Sequence, residues 1–151
     1  MNRSLRLPEA VAPTLGYLTA QRRRLGIWVM DTGSANTLAA RSFAAKYDLC
    51  HIDVLLDLIN YLTDDSEKPL GVFGPDDLAE WIQRKSYLFT LPLVVSEVES
   101  ILATFGKPGA IGFFRLTVNL DLRLPVVIIV HLADLVNAAG FPEDRTWHIT
   151  V

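Results

Sequence analysis

With only one cysteine, Cys50, the chain cannot close an internal disulfide, and no secretory signal precedes the first polar residues. The expected compartment is the cytoplasm. Apolar runs fall short of the roughly 18 residues that mark a membrane span; the run from Pro125 through Val136 is broken by His131 and Asp134. Positive charge is not in excess either. The formal net charge of −3 gives no electrostatic reason to expect sequence-independent nucleic-acid binding, which needs a basic stripe, so nucleic acid is expected only indirectly, through a complex. The one basic run, Arg22 to Arg24, is read as the end of an N-terminal helix, answering the negative end of its dipole. His51, His131 and His148 lack the spacing of metal ligands, and no metal site is expected. Trp28, Trp81 and Trp147 are scattered and read as packing residues. No internal repeat, low-complexity tract or linker divides the 151 residues, which predicts one domain over 1–151.

What the chain has in quantity is apolar side chains. Half its residues are hydrophobic and 21% are charged, the balance of a parallel sheet covered on both faces. Pro8 to Arg24 has helical spacing at Val11, Leu15 and Leu18. Gly26 to Met30 is a continuous apolar strand, followed by a turn-rich Asp31 to Asn36 and a helix from Thr37 to Tyr47. Cys50 to Leu55 predicts a second strand and Leu56 to Leu62 a short helix. Gly74-Pro75-Asp76-Asp77 opens a helix to about Lys85, with proline in its first turn and two carboxylates at its positive end. Phe89 to Val95 and Val126 to Val130 are the third and fourth strands. Between them a helix over Ser96 to Phe105 is broken at Gly106 to Gly109 and resumes over Ala110 to Leu122. A turn or two of helix follows at Asp134 to Ala139, and Thr146 to Val151 alternates like a final edge strand. Strands alternating with helices predict a three-layer α/β sandwich on a mostly parallel five-stranded sheet.

Ligands of open α/β sheets bind beyond the carboxyl ends of the strands, so the loop after the first apolar strand is where chemistry is sought. Met30-Asp31-Thr32-Gly33-Ser34-Ala35-Asn36-Thr37 lies in the register of the phosphate loop G-x-x-x-x-G-K-[ST]. Thr37 matches the terminal hydroxyl and Gly33 is an internal glycine, whereas Met30, Ala35 and Asn36 replace the two glycines and the lysine. Backbone amides there can hold an anion, with Gly33, Ser34, Asn36 and Thr37 as the binding residues. A lost charge-assisted contact weakens binding by roughly 1.5 to 3 kcal/mol. Downstream, Ser96 stands where an aspartate would fix magnesium, with Glu97 and Glu99 behind it, and His131 ends the fourth strand where a polar sensor would face nucleotide. The same loop reads Asp31-Thr32-Gly33-Ser34, the turn of an aspartic protease that would complete its dyad by dimerising. That enzyme class is almost all β, which the helical patterning opposes.

Taken in order, the loop at Asp31 to Thr37, the stretch Ile52 to Leu62, Lys68-Pro69-Leu70 followed by Asp77-Leu78-Ala79-Glu80, the strand bearing Glu97 and Glu99, Arg123 before the fourth strand and the closing Phe141 to Ile149 resemble the BrxF family of small P-loop proteins, found in type 3 BREX phage-defence systems. The resemblance implies an AAA-like core without a lid, working inside a multiprotein complex that recognises foreign DNA. It also implies sensor-like roles for His131 and Arg123, the latter acting in trans. Asn36 and Ser96 depart from the pattern. The functional expectation is a non-catalytic or weakly active P-loop-like subunit, acting through protein partners or as a homo-oligomer, with no required cofactor and weak affinity at most for ATP and magnesium. The alternative is an active ATPase in which Thr37 ligates magnesium and Glu97 activates water.

Overall fold

A computed structural model describes residues 4–30, 44–57, 74–131 and 133–150. Six strands are present among these: β1 (Ser4–Arg6), β2 (Leu25–Met30), β3 (Cys50–Asp53), β4 (Leu93–Ser96), β5 (Val126–Val130) and β6 (Thr146–Thr150). The helices are α1 (Leu7–Ala20), α2 (Pro75–Leu88), α3 (Val98–Leu102), α4 (Gly106–Thr117) and α5 (Ala133–Ala138). Every strand pair is parallel, in the order β1-β6-β2-β5-β4-β3. No helix among the described residues is long and apolar enough to cross a membrane.

Alternation along the strands separates the core into two halves. Ile27 and Val29 of β2, Leu93 and Val95 of β4, and Ile128 of β5 point to the side covered by α2, α3, α4 and α5. Trp28, Met30, Val94, Val127 and Ile129 point to the other, covered by α1 and by Ala44 and Leu49. Helices therefore cover both faces, and β2 and β5, paired along Leu25 to Val29, are buried throughout. This is why both strands read as uninterrupted apolar runs.

The sheet differs from expectation at one side. Six strands stand where five were expected, because β1 pairs with β6 from Ser4 to Arg6; β6, expected at or near an edge, is second from it. Three residues, Ser-Leu-Arg, are too few to show a period, and only their neighbour makes them a strand. The strand expected from Phe89 begins instead at Leu93. The Phe89 amide still closes α2 on the Lys85 carbonyl, and Pro92 has no amide to give to a ladder. Gly106 to Gly109 does not break the helical pattern but opens α4. Gly106 takes the turn with φ +73°, and Pro108 sits in a first turn whose amides need no partner. The turn at Gly74 behaves as its residues predict, with the Asp77 carboxylate accepting the Gly74 amide at 2.9 Å.

Arg22 to Arg24 needs a different account from the one its position suggested. α1 ends at Ala20 with no basic residue in its last turn. Arg24 instead donates from Nε to the Gln21 carbonyl and from Nη1 to that of Arg123, which ties two loops at the amino ends of the strands. Beside them Arg145, buried, donates to the carbonyls of Arg23, Leu25 and Val118. Burial pulls its guanidinium below the ordinary arginine range. On the helix side, Trp28 Nε1 donates to the buried Thr14 hydroxyl at 3.1 Å, and Tyr17 donates to Asp144 at 2.5 Å.

Two outcomes follow. Arg145→Met should destabilise the fold by about 2–4 kcal/mol in urea denaturation, because three carbonyls lose a charged donor that methionine cannot replace. The hydrogen bond to Asp144, with lesser help from burial and the aspartate's charge, raises the Tyr17 phenol above its ordinary value of 10.0. Stability from that raised pKa is complete below about pH 10 and is lost as pH rises through the folded value. Titration of Tyr17 by NMR should therefore give a midpoint above 10 in the wild type, returning towards 10 in Asp144→Ala.

Candidate functional site

Because all six strands are parallel, Arg6, Met30, Asp53, Ser96, Val130 and Thr150 end on one edge of the sheet. Residues 44–49, which lead into β3, pack on the α1 face, whereas the chain leaving β5 crosses to β6 over the opposite face, through α5. β2 and β5 are adjacent, so a crevice opens between two connections that depart in opposite directions, which is where α/β sheets bind ligands. Residues 31–37, with Asp31, Gly33, Ser34, Asn36 and Thr37, follow Met30 in sequence and lie outside the described residues.

The other side of the crevice is described in detail. With strands spaced by about 4.8 Å, the end of β4 lies roughly 10 Å from the end of β2, and the end of β5 lies between them. Ser96 ends β4 fully buried, its Oγ 2.7 Å from His51 Nε2 on β3. A serine hydroxyl against an imidazole is the contact of an activated nucleophile. Here no surface of Ser96 is open to a substrate. The pair instead satisfies two polar groups at the sheet end. Asp53, on the same face of β3 as His51, accepts the amide of Leu55 at 3.0 Å and caps the helical residues 54–57.

Glu97 follows at φ 66° and ψ 18°, a left-handed conformation that a residue with a Cβ seldom adopts. Its carboxylate accepts the Ser100 hydroxyl at 2.9 Å. Glu99, the second residue of α3, reaches across to the end of β5, where its Oε1 accepts the His131 amide at 2.8 Å and lies 3.6 Å from His131 Nε2. Glu99, Lys107, Asp134 and Leu135 also line a cavity of about 360 Å³ between α3, α4 and α5.

The structure thus brings Glu97, Glu99 and His131 to one edge. It does not bring Arg123 there. Arg123 precedes β5 and lies at the opposite edge, beyond the length of a five-residue strand, roughly 15 Å. Its backbone amide meets Ser86 Oγ, and its guanidinium donates to the Phe89 carbonyl. Any contact of Arg123 with a nucleotide would have to be with that of another molecule.

Two groupings escaped the sequence reading. His51 was treated as an isolated histidine, although its position two residues before Asp53 on an alternating strand put it on the face of Ser96 once β3 was paired with β4. Arg145 was not singled out, and an arginine between Pro142 and an apolar strand gives no sign that backbone carbonyls surround it. No group of three or more His, Cys, Asp or Glu among the described residues is placed to hold a metal ion.

Glu99 should prove to be the tether of the β5 end. In Glu99→Ala the His131 amide should exchange with solvent about tenfold faster, the effect of losing a hydrogen bond worth about 1.5 kcal/mol. Glu99→Gln, which keeps an acceptor, should retain most of the protection.

No protein-family model matches this chain, and no curated protein matches it in sequence.

Proposed function

We propose that the chain is a P-loop-type subunit with a degenerate nucleotide site, acting through contacts with other protein molecules rather than through turnover. One observation carries the reading. In the strand order, β5 lies between the strand that leads into the Asp31 to Thr37 loop and the strand that ends in Ser96, Glu97 and Glu99. The end of β2 that leads into the loop, the sensor-like His131 and the acidic turn therefore share an edge, the arrangement an AAA-like nucleotide site uses. A role in phage defence follows only from the resemblance to the BrxF family, and the cytoplasm is its natural setting.

The chemistry at the acidic end argues against efficient hydrolysis. A magnesium shell needs an available carboxylate at the end of β4. Ser96 offers a buried hydroxyl already in contact with His51, and the Glu97 carboxylate holds Ser100. At the loop, Asn36 has an amide where a lysine ammonium would neutralise phosphate. The residues fit a weak anion site and not a tight complex of ATP with magnesium, and no catalytic step is derived through one.

An active ATPase is the second reading, and one observation favours it. Glu97 is held in a strained backbone conformation beside the crevice, and strain of this kind clusters at sites where a side chain must be aimed. The Asp31 protease has no such support, since it needs an almost all-β lobe and the sheet is parallel with helices on both faces.

Calorimetry separates the readings. The wild type should bind ATP with magnesium only weakly and release no phosphate above a mock preparation. Ala35→Gly with Asn36→Lys should tighten binding by about 10- to 100-fold, as expected for one charge-assisted contact. Micromolar binding with turnover by the wild type would favour the ATPase, and no gain in the double variant would remove the phosphate-loop assignment.

A further inference from the structure

The small net charge conceals a division of charge along the strand axis. Among the described residues, the amino edge of the sheet gathers Arg22, Arg24, Arg84, Lys85 and Arg123, with Arg23, Lys46 and Arg145 behind them, against Asp48, Asp121, Glu143 and Asp144. Among the described residues at the carboxyl edge stand Asp53, Asp57, Asp76, Glu97, Glu99 and Asp134, with Glu9 and Asp77, against Arg6 and Lys107, and Arg115 shares a pocket with Asp76. Helix dipoles explain part of this: Asp76 and Asp77 sit in the first turn of α2 and Lys85 in its last. They do not explain Arg22 and Arg24, which lie beyond the end of α1, or Arg123, which ends no helix.

The basic edge also exposes large apolar side chains, as the acidic edge does at Leu56, 59% exposed beside Asp57. Leu88, 72% exposed at the end of α2, stands with Tyr87 at 51% and Leu91 at 39% on the turn into β4. Arg123 binds the carbonyl of Phe89 in the same turn, and Lys85 Nζ lies 5.8 Å from the Phe89 ring centroid, so two cations flank this turn. A phosphate backbone would use the arginines and leave the leucines in water. A protein surface carrying carboxylates would use both.

We infer that the chain associates with copies of itself head to tail, the basic edge around Tyr87, Leu88 and Leu91 of one molecule seated on the acidic carboxyl edge of the next. The contact is heterologous: each copy offers a different surface at its two ends, so the series closes into a ring or runs on as a filament. This names the partner in the reading above and rests on its protein-contact part alone; the nucleotide measurements neither support nor weaken it.

The test uses two pairs of exposed substitutions. Arg84→Glu with Leu88→Asp disables the basic edge, and Asp57→Lys with Asp134→Lys disables the acidic one. Sedimentation of the wild type in 50 mM NaCl at protein concentrations of about 10 to 200 µM should show mass rising past the dimer, and 500 mM salt should weaken association by about tenfold or more. Each double variant alone, with wild-type circular dichroism, should be monomeric. Mixed in equal amounts they should form a one-to-one heterodimer, since each retains the surface the other needs. A wild type that stays monomeric throughout, a closed dimer insensitive to salt, or a mixture with no heterodimer would overturn the inference. So would an amino edge that binds a DNA duplex while the protein does not bind itself.

Discussion

The ladder between β2 and β5 is the contact on which the rest of the molecule depends. Its two strands are paired over five residues and shielded from water on both faces, so each contributes side chains to both halves of the core. A fully apolar pair is stable only if helices cover both of its faces, which forces the connections to leave on opposite sides. That divergence opens the crevice at the carboxyl ends. The site is thus a by-product of burying Leu25 to Met30 against Val126 to Val130. Few substitutions in these strands can alter the core without also moving the crevice.

The two ends of this ladder are secured by different chemistry. At the amino ends, arginines bind backbone carbonyls: Arg24 binds that of Arg123, Arg123 that of Phe89, and Arg145 those of Arg23, Leu25 and Val118. Each guanidinium has several donors in a fixed plane and can fasten loops that have no regular structure of their own. At the carboxyl ends the fasteners are short side chains, Ser96 on His51 and Glu99 on the His131 amide. Those contacts leave backbone and carboxylates near the surface, where a ligand or another molecule can reach them.

How far the sequence could be read depends on the length of each signal. β5 was legible residue for residue because five consecutive branched apolar side chains admit little else, and α2 was legible through the Gly-Pro-Asp-Asp turn that caps it. β1 was not, because pairing with β6 creates it, and neither was the start of β4, where Phe89 and Leu91 are apolar yet lie in a turn. At the candidate site, Glu97, Glu99 and His131 were readable as strand ends. Their mutual arrangement needed the strand order, which no local pattern carries. Arg123 illustrates the limit: its place before β5 was read correctly, and only the direction of the strand shows that it lies at the far edge from His131.

The shortness of the outermost strands has its own bearing on how this molecule meets others. Among the described residues, β1 has three residues and β3 four, so neither of these outermost strands offers a backbone row long enough to template another strand. Sideways extension of the sheet, the route to fibrous aggregation, is thereby discouraged at both margins without a proline or a bulge in either strand. The surfaces left for recognition are the two ends of the strand bundle and the backs of the helices.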